Sequence, residues 1–154
     1  MILIKEYRNG IFIGSVIRDL QIIIDATNNQ APVLQVPTQI CKIIGDSILF
    51  NVSATDPNAQ DKITLSANGA PFIVSNSPAT FISGAPSNPI NGIFKWKTTC
   101  DHLLKNDYFV VFNAVDDFDS PPLTNQKTVS IKLLAPAPTN INATLNIANK
   151  TVKL

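Results

Sequence analysis

Oxygen-bearing side chains crowd three short stretches of this 154-residue chain. Thr55-Asp56-Pro57-Asn58-Ala59-Gln60-Asp61 sets Asp56, Asn58 and Asp61 within six residues, and Asp116-Asp117-Phe118-Asp119 sets three carboxylates within four. Asp25, Asn28 and Asn29 make a third group. Ca²⁺ is a hard cation that takes six to eight oxygen ligands, and turns rich in Asp, Asn and backbone carbonyls supply them. The same residue types also favour turns for backbone reasons, as solvated loops without any metal. Spacing alone leaves both readings open.

The rest of the chemical inventory is thin. One His and one Glu leave little for acid–base catalysis. His102 follows Asp101, but neighbours on an extended chain point opposite ways, and no Ser or Cys nucleophile is placed beside them. Cys41 and Cys100 lie 59 residues apart, which excludes a CxxC metal or redox motif. They are either one disulfide or two buried free thiols. Trp96 and the phenylalanines sit on alternating runs, which points to core packing rather than a sugar-stacking platform. Asn51-Val52-Ser53, Asn142-Ala143-Thr144 and Asn149-Lys150-Thr151 match the glycosylation pattern, which matters only in a secreted eukaryotic protein.

Composition narrows the class further. Twelve Lys+Arg against eleven Asp+Glu leave a formal charge of +1, so there is no basic excess to bind nucleic acid. No apolar run approaches the ~18 residues of a membrane span. Lys5, Glu6, Arg8 and Asn9 interrupt the start of the chain, which does not read as a signal peptide. Ten of the eleven acids are Asp, Asn and Pro number sixteen and eleven, and the runs between these turn formers are rich in Val, Ile, Thr and Phe.

Such a pattern predicts many short strands, hence an all-β sandwich or barrel. Strands are expected at 2–7 and 11–17, joined by the hairpin signal Asn9-Gly10, and the apolar run 20–24 follows. Further strands are expected at 32–36, 47–54, 62–66, around Phe81, at 92–97, 108–115 and 128–134. Residues 47–54 place Ile48, Phe50, Val52 and Ala54 on one face. Residues 72–74 form an apolar run, and Asp101 to Lys105 is the one expected helical turn. Asn28 to Pro32 reads as a linker, and Ala135-Pro136-Ala137-Pro138 as a stiff spacer. Two strands, 141–145 and 151–154, are expected after it. The interval between the two boundaries suits a sandwich of about seven strands.

Several motifs together resemble a cadherin-like or bacterial immunoglobulin-like module. They are Ala54-Thr55-Asp56-Pro57-Asn58, then Gly92-Ile93-Phe94-Lys95-Trp96, then the strand from Tyr108 to Asp116, then Ser120-Pro121-Pro122-Leu123. Asp25-Ala26-Thr27-Asn28-Asn29-Gln30-Ala31-Pro32 resembles a cadherin linker shifted in register and lacking its central Asp. The resemblance covers about residues 29–135 and implies an antiparallel Ig-like/cadherin-like β-sandwich there. Residues 1–28 resemble the closing strands of a preceding β module, and 136–154 the opening strands of a fibronectin type III module. The chain then reads as an excerpt of a tandem array.

The resemblance implies a non-enzymatic structural or adhesion module on the bacterial cell surface, as in large Bacteroidetes proteins linked to gliding motility. The alternative is a carbohydrate- or ligand-binding accessory module of a secreted enzyme. The implied partners are neighbouring modules of the same chain, and other cell-surface proteins or glycans. The implied cofactor is Ca²⁺ at the inter-module joint. Asp56 and Asn58 match the ligands of the first turn, Asp116 the ligand after the penultimate strand, and Asn29 and Asp25 stand near the linker ligands; Asp61 completes the first acidic turn. Export would favour the Cys41–Cys100 disulfide.

Overall fold

The computed structural model describes residues 2–19, 26–119, 121–139, 144–146 and 151–153. The apolar run 20–24 and Asp25 lie outside the described residues, as do Ser120 and residues 141–143. Twelve strands are described: β1 (Ile2–Arg8), β2 (Ile11–Arg18), β3 (Val33–Gln35), β4 (Gln39–Ile43), β5 (Ser47–Thr55), β6 (Ile63–Gly69), β7 (Thr80–Ser83), β8 (Ile90–Lys97), β9 (Tyr108–Asp116), β10 (Thr124–Leu134), β11 (Thr144–Asn146) and β12 (Thr151–Lys153). Helical structure among the described residues is limited to two 3₁₀ turns, Ala70–Phe72 and Cys100–His102. The first follows Gly69 and shares only Phe72 with the apolar run at 72–74. The second is the expected helical turn, one residue earlier and shorter.

β3 to β10 form a two-layer sandwich. One sheet has the order β3-β5-β8-β7, the other β4-β10-β9-β6. The layers follow from period-two patterning. Ile48, Val52 and Ala54 of β5 face inward, as do Ile90, Gly92, Phe94 and Trp96 of β8 and Val129, Ile131 and Leu133 of β10. β9 is an interior strand of its sheet and buries Tyr108, Val110, Phe112 and Ala114.

Eight strands, not about seven, make the sandwich, and the added one is β4. It is also an exception to antiparallel pairing: Gln39 to Ile43 run parallel to Ser130 to Leu134. The reason lies at Pro37, between β3 and β4. Pro cannot donate to a ladder, so pairing stops there and the chain crosses from one sheet to the other while keeping its direction. β4 escapes the sequence pattern because only Ile40 is half-buried and its other residues are exposed.

That alternation also corrects the disulfide expectation. Ile40 leans on the core, so Cys41 points outward from an edge strand, while Cys100 sits in the 3₁₀ turn that follows β8 of the other sheet. Both thiols are free and exposed.

Aromatic rings centre the core. Phe94 stacks on Phe50 at 4.9 Å between ring centroids and meets Phe112 and Phe72 edge-on at 6.1 and 5.8 Å. Phe81 contacts Phe112 at 5.3 Å. Gly92 makes this packing possible: a Cβ there would lie 2.6 Å from the Phe81 ring. At the far end of β8, Trp96 donates its indole N–H to the Ser77 carbonyl at 3.0 Å and packs against Tyr108 and His102.

β1 and β2 form a separate antiparallel ribbon, and so do β11 and β12. Asn9 and Gly10 both take positive φ, 50° and 80°, as a two-residue hairpin turn requires.

Two outcomes follow. Phe94→Ala is expected to cost about 3–5 kcal/mol in urea unfolding, against less than about 1 kcal/mol for Leu49→Ala on the outer face of the same sheet. A thiol reagent added to native, unreduced protein is expected to titrate two thiols; none would restore the disulfide.

Candidate functional site

The strand ends bring the acidic turns to one end of the sandwich. β5 delivers Asp56 just past Thr55, and β9 ends on Asp116, which pairs with Ile63 at the start of β6. The turn at 56–61 leads into β6, so Asp61 stands beside both. The segment 26–32 reaches the same end, because it leads into Val33, the partner of Thr55.

Asp116 is the hub. It is 4% exposed, and a buried carboxylate must be hydrogen-bonded. Its Oδ1 accepts from the backbone N–H of Leu123 at 2.9 Å and of Phe118 at 3.2 Å, closing the β9–β10 connection. Its Oδ2 accepts from Asn29 Nδ2 at 3.0 Å, and that amide also donates to the Pro121 carbonyl at 3.3 Å. One carboxylate therefore ties the segment before β3 to the turn after β9.

Asp56 and Asn58 tie the same segment to the other sheet. Asp56 Oδ1 accepts from the Asn58 N–H at 2.8 Å, a local Asp-turn. Asn58 then bonds the segment twice: its Oδ1 accepts from the Gln30 N–H at 2.9 Å, and its Nδ2 donates to the Asn28 carbonyl at 3.2 Å. Asn88 clamps the turn from behind. Its Oδ1 accepts from the Asp56 N–H at 3.0 Å, and its Nδ2 donates to the carbonyls of Asp56 and Asn58 at 3.0 and 3.3 Å. Asp117 Oδ1 accepts from the Lys62 N–H at 2.6 Å.

Three oxygens at this end are shielded from solvent and have no hydrogen-bond partner: Asn29 Oδ1, Asp56 Oδ2 and Asp61 Oδ2. Asn29 and Asp56 are 7% and 8% exposed. Asp61 is half-buried, and its carboxyl is raised above its ordinary value. Desolvation is the first cause, followed by the carboxylates of Asp56, Asp116 and Asp117. Orphaned oxygens and a carboxyl held against its ionisation both describe a site short of positive charge.

The structure thus gathers Asn29, Asp56, Asn58, Asp61 and Asp116. One contributor has no local sequence signal: Asn88, in the connection between β7 and β8. Asp117 belongs to the second acidic stretch, but its partner Lys62 is 55 positions away. Among the described residues no group of three or more His, Cys, Asp and Glu side chains is placed to hold a metal ion. A cation here would need the amide oxygen of Asn29 and backbone carbonyls as well as the carboxylates, which suits an oxygen-seeking ion.

The other sequence candidates are structural. His102 is 2% exposed, and both ring nitrogens are engaged: Nδ1 accepts from the Thr99 N–H at 3.0 Å and Nε2 lies 2.6 Å from the Asn76 carbonyl oxygen. Asp101 accepts from Asn76 Nδ2 at 2.9 Å. The Tyr108 hydroxyl donates to the His102 carbonyl at 3.0 Å, and burial raises its pKa. Trp96 lines a groove of about 400 Å³ with Leu49, Lys95 and Lys97, but at 1% exposure it offers no ring face for a sugar.

No protein-family model matches the chain, and no curated protein matches it. Among solved structures it is similar to the SrpA adhesin from Streptococcus sanguinis, with 21% identity and a TM-score of 0.49 over 73% of this chain and 61% of that one. It is also similar to the sialic acid binding region of the Streptococcus sanguinis SK1 adhesin, with 15% identity and a TM-score of 0.48 over 70% of this chain and 31% of that one. PapD-like domain 7 of human CEP192 is similar at 12% identity and a TM-score of 0.48, over 79% of this chain and 97% of that domain. The chain spans less than two thirds of the length of the two adhesin chains.

Asp61 makes a pH prediction. Its folded pKa lies above the unfolded value of 3.8, so the folded state holds the proton more tightly. In metal-free protein its contribution therefore falls as pH rises through that raised pKa, and the penalty is fully present at neutral pH. Asp61→Asn is expected to raise Tm at pH 7 in chelator and to flatten the fall in stability above pH 3.8. An unchanged pH profile would show that Asp61 is not strained.

Proposed function

We infer that this chain is a non-enzymatic structural or adhesion module of a modular extracellular protein, stiffened by Ca²⁺ at the acidic end of its sandwich. The observation that carries the reading is the set of three partnerless oxygens, on Asn29, Asp56 and Asp61, at the end where the segment before β3 is stapled to two turns.

The residues present fit a calcium ion. Asn29, Asp56 and Asp61 have oxygens to give, and Asp116 and Asn58 already hold the surrounding segments in place. Bound calcium would neutralise the crowded carboxylates. The chain itself does the joining: Asn58 and Asp116 bond residues 28–30 on two sides, so an added ligand at Asn29 locks that segment to both sheets. Segment and sandwich then move together, which is what a spacer in a tandem array requires.

The topology supports the same use. Residues 26–32 arrive at the acidic end, while β10 ends at Leu134 beside Ile43, at the opposite end. A unit whose chain arrives at one end and leaves at the other strings naturally into an array, with neighbouring β units as its first partners. The alternative, a carbohydrate- or ligand-binding accessory module, would be favoured by exposed aromatics gathered on one face. The exposed aromatics among the described residues are Tyr7 and Phe12 on the β1–β2 ribbon and Phe109 on the sandwich.

Thermal unfolding in millimolar calcium and in chelator tests the reading. A site with a Kd near 0.1 mM is expected to add about 1.4 kcal/mol at 1 mM calcium, a Tm rise of about 5 °C. Magnesium at the same concentration is expected to give less. The rise should vanish in Asp56→Ala and shrink in Asp61→Asn, whose milder change guards against misfolding. Equal melts in calcium and chelator would overturn calcium binding by this chain.

A further inference from the structure

A second polar cavity lies at the other end of the sandwich. β8 runs from Ile90, opposite Ala54 near the acidic turns, to Lys97, opposite Ser47. Beyond Lys97 comes the 3₁₀ turn Cys100–His102, which is bonded to the segment after the other 3₁₀ turn. Val74, Ser75 and Asn76 on one wall and Asp101, His102 and Tyr108 on the other line an open cavity of about 180 Å³.

Hydrogen bonds fix where its polar atoms stand. His102 Nδ1 accepts from the Thr99 N–H, so Nε2 carries the ring proton and donates it to the Asn76 carbonyl at 2.6 Å. The Asn76 side-chain amide donates to Asp101 Oδ2 at 2.9 Å, which sets the orientation of that amide. One residue on, Ser77 is clamped twice. Its carbonyl accepts from the Trp96 indole at 3.0 Å, and its hydroxyl donates to the Lys97 carbonyl at 2.7 Å. Ser77 takes φ 48°, a left-handed conformation uncommon outside Gly. Such strain persists where the surroundings over-determine it, and it clusters at ligand sites.

These contacts leave hydrogen-bonding capacity over. Asp101 Oδ1, Asn76 Oδ1 and the Ser75 hydroxyl take part in no hydrogen bond among the described residues, and the Asn76 amide keeps a second N–H. Ser75, Asn76 and Asp101 are exposed, whereas His102 and Tyr108 are buried. Acceptors therefore stand beside donors. An ammonium ligand only donates and would leave the donors unmatched. A phosphate only accepts and would meet the charge of Asp101. A sugar hydroxyl donates and accepts at one atom, as this pairing requires.

We propose that the cavity binds a terminal sugar residue of a glycan, with Asp101 and Asn76 hydrogen-bonding neighbouring ring hydroxyls and Ser75 a third. The volume suits one ring, being below the ~300 Å³ at which pockets for drug-sized ligands begin. Recognition rests on hydrogen bonds, since the Tyr108 ring is 5% exposed and offers no stacking face. The cavity shares no residue with the acidic end, so it stands or falls apart from calcium.

Saturation-transfer NMR on the full chain, in chelator, tests this. The probes are the methyl glycosides of glucose, galactose, mannose and N-acetylglucosamine at tens of millimolar. Transfer to the ring protons of at least one is expected, with a Kd on the order of millimolar for a single small ring. Asp101→Asn turns an acceptor into a donor facing the Asn76 amide, and is expected to weaken binding by roughly tenfold. Asn76→Ala is expected to do the same. Asp56→Ala, at the opposite end, is expected to leave binding unchanged, and a thermal melt reports that each variant is folded. Transfer from none of the probes, transfer indifferent to Asp101→Asn and Asn76→Ala in folded protein, or transfer lost in folded Asp56→Ala would each overturn the proposal.

Discussion

The buried carboxylate of Asp116 is the constraint on which the acidic end depends. Burying a charge is costly unless donors surround it, and three donors from two parts of the chain converge on it: the N–H groups of Phe118 and Leu123, and the Asn29 amide. The first two set the turn from β9 to β10. The third fixes the segment before β3 and, through it, the path into the sandwich. With Asp116 satisfied in this way, Asn29 is held with its own carbonyl oxygen unpartnered. The stability of the turn and the incompleteness of the site are one arrangement.

The aromatic core works toward the same end. Phe94, Phe112 and Phe50 lock β8, β9 and β5 across the two layers, and these strands deliver the Asn88 loop, Asp116 and Asp56. Close packing leaves little freedom for the strand ends to splay. The carboxylates of Asp56, Asp61, Asp116 and Asp117 are therefore held near one another despite their repulsion, and desolvation first, then these neighbouring charges, raise the pKa of Asp61. The folding energy of the core offsets the electrostatic strain at its edge, a relation common at binding sites.

The ribbon and the sandwich depend on different physics. In the sandwich β3, β5, β6, β8, β9 and β10 each bury residues on one face, so register is strongly specified. In the β1–β2 ribbon each face carries apolar side chains and neither is covered by the described residues, and the described pairing consists of the Asn9-Gly10 turn and the backbone ladder.

Much of the fold was legible in the residues because alternation is local. Ile48, Phe50, Val52 and Ala54, or Val129, Ile131 and Leu133, announce a strand and its inward face within a few positions. Asn9-Gly10 announces its turn for the same reason. The acidic turns were visible too, since Asp and Asn crowd where strands end. What alternation cannot convey is which strand lies beside which. β4 joins its sheet by parallel pairing with a strand about 90 positions later, and its exposed residues show no pattern. Cys41 and Cys100 lie far apart in sequence, and only strand pairing decides that their side chains do not meet. Asn88 and Asp117 act through partners 32 and 55 positions away. The sequence by itself determined the strands, their buried faces and the chemistry available in the turns, because those depend on neighbours two residues apart. The gathering of Asn29, Asp56, Asp61 and Asp116 was decided by tertiary structure alone, because only the packing of two sheets brings separate strand ends to one place.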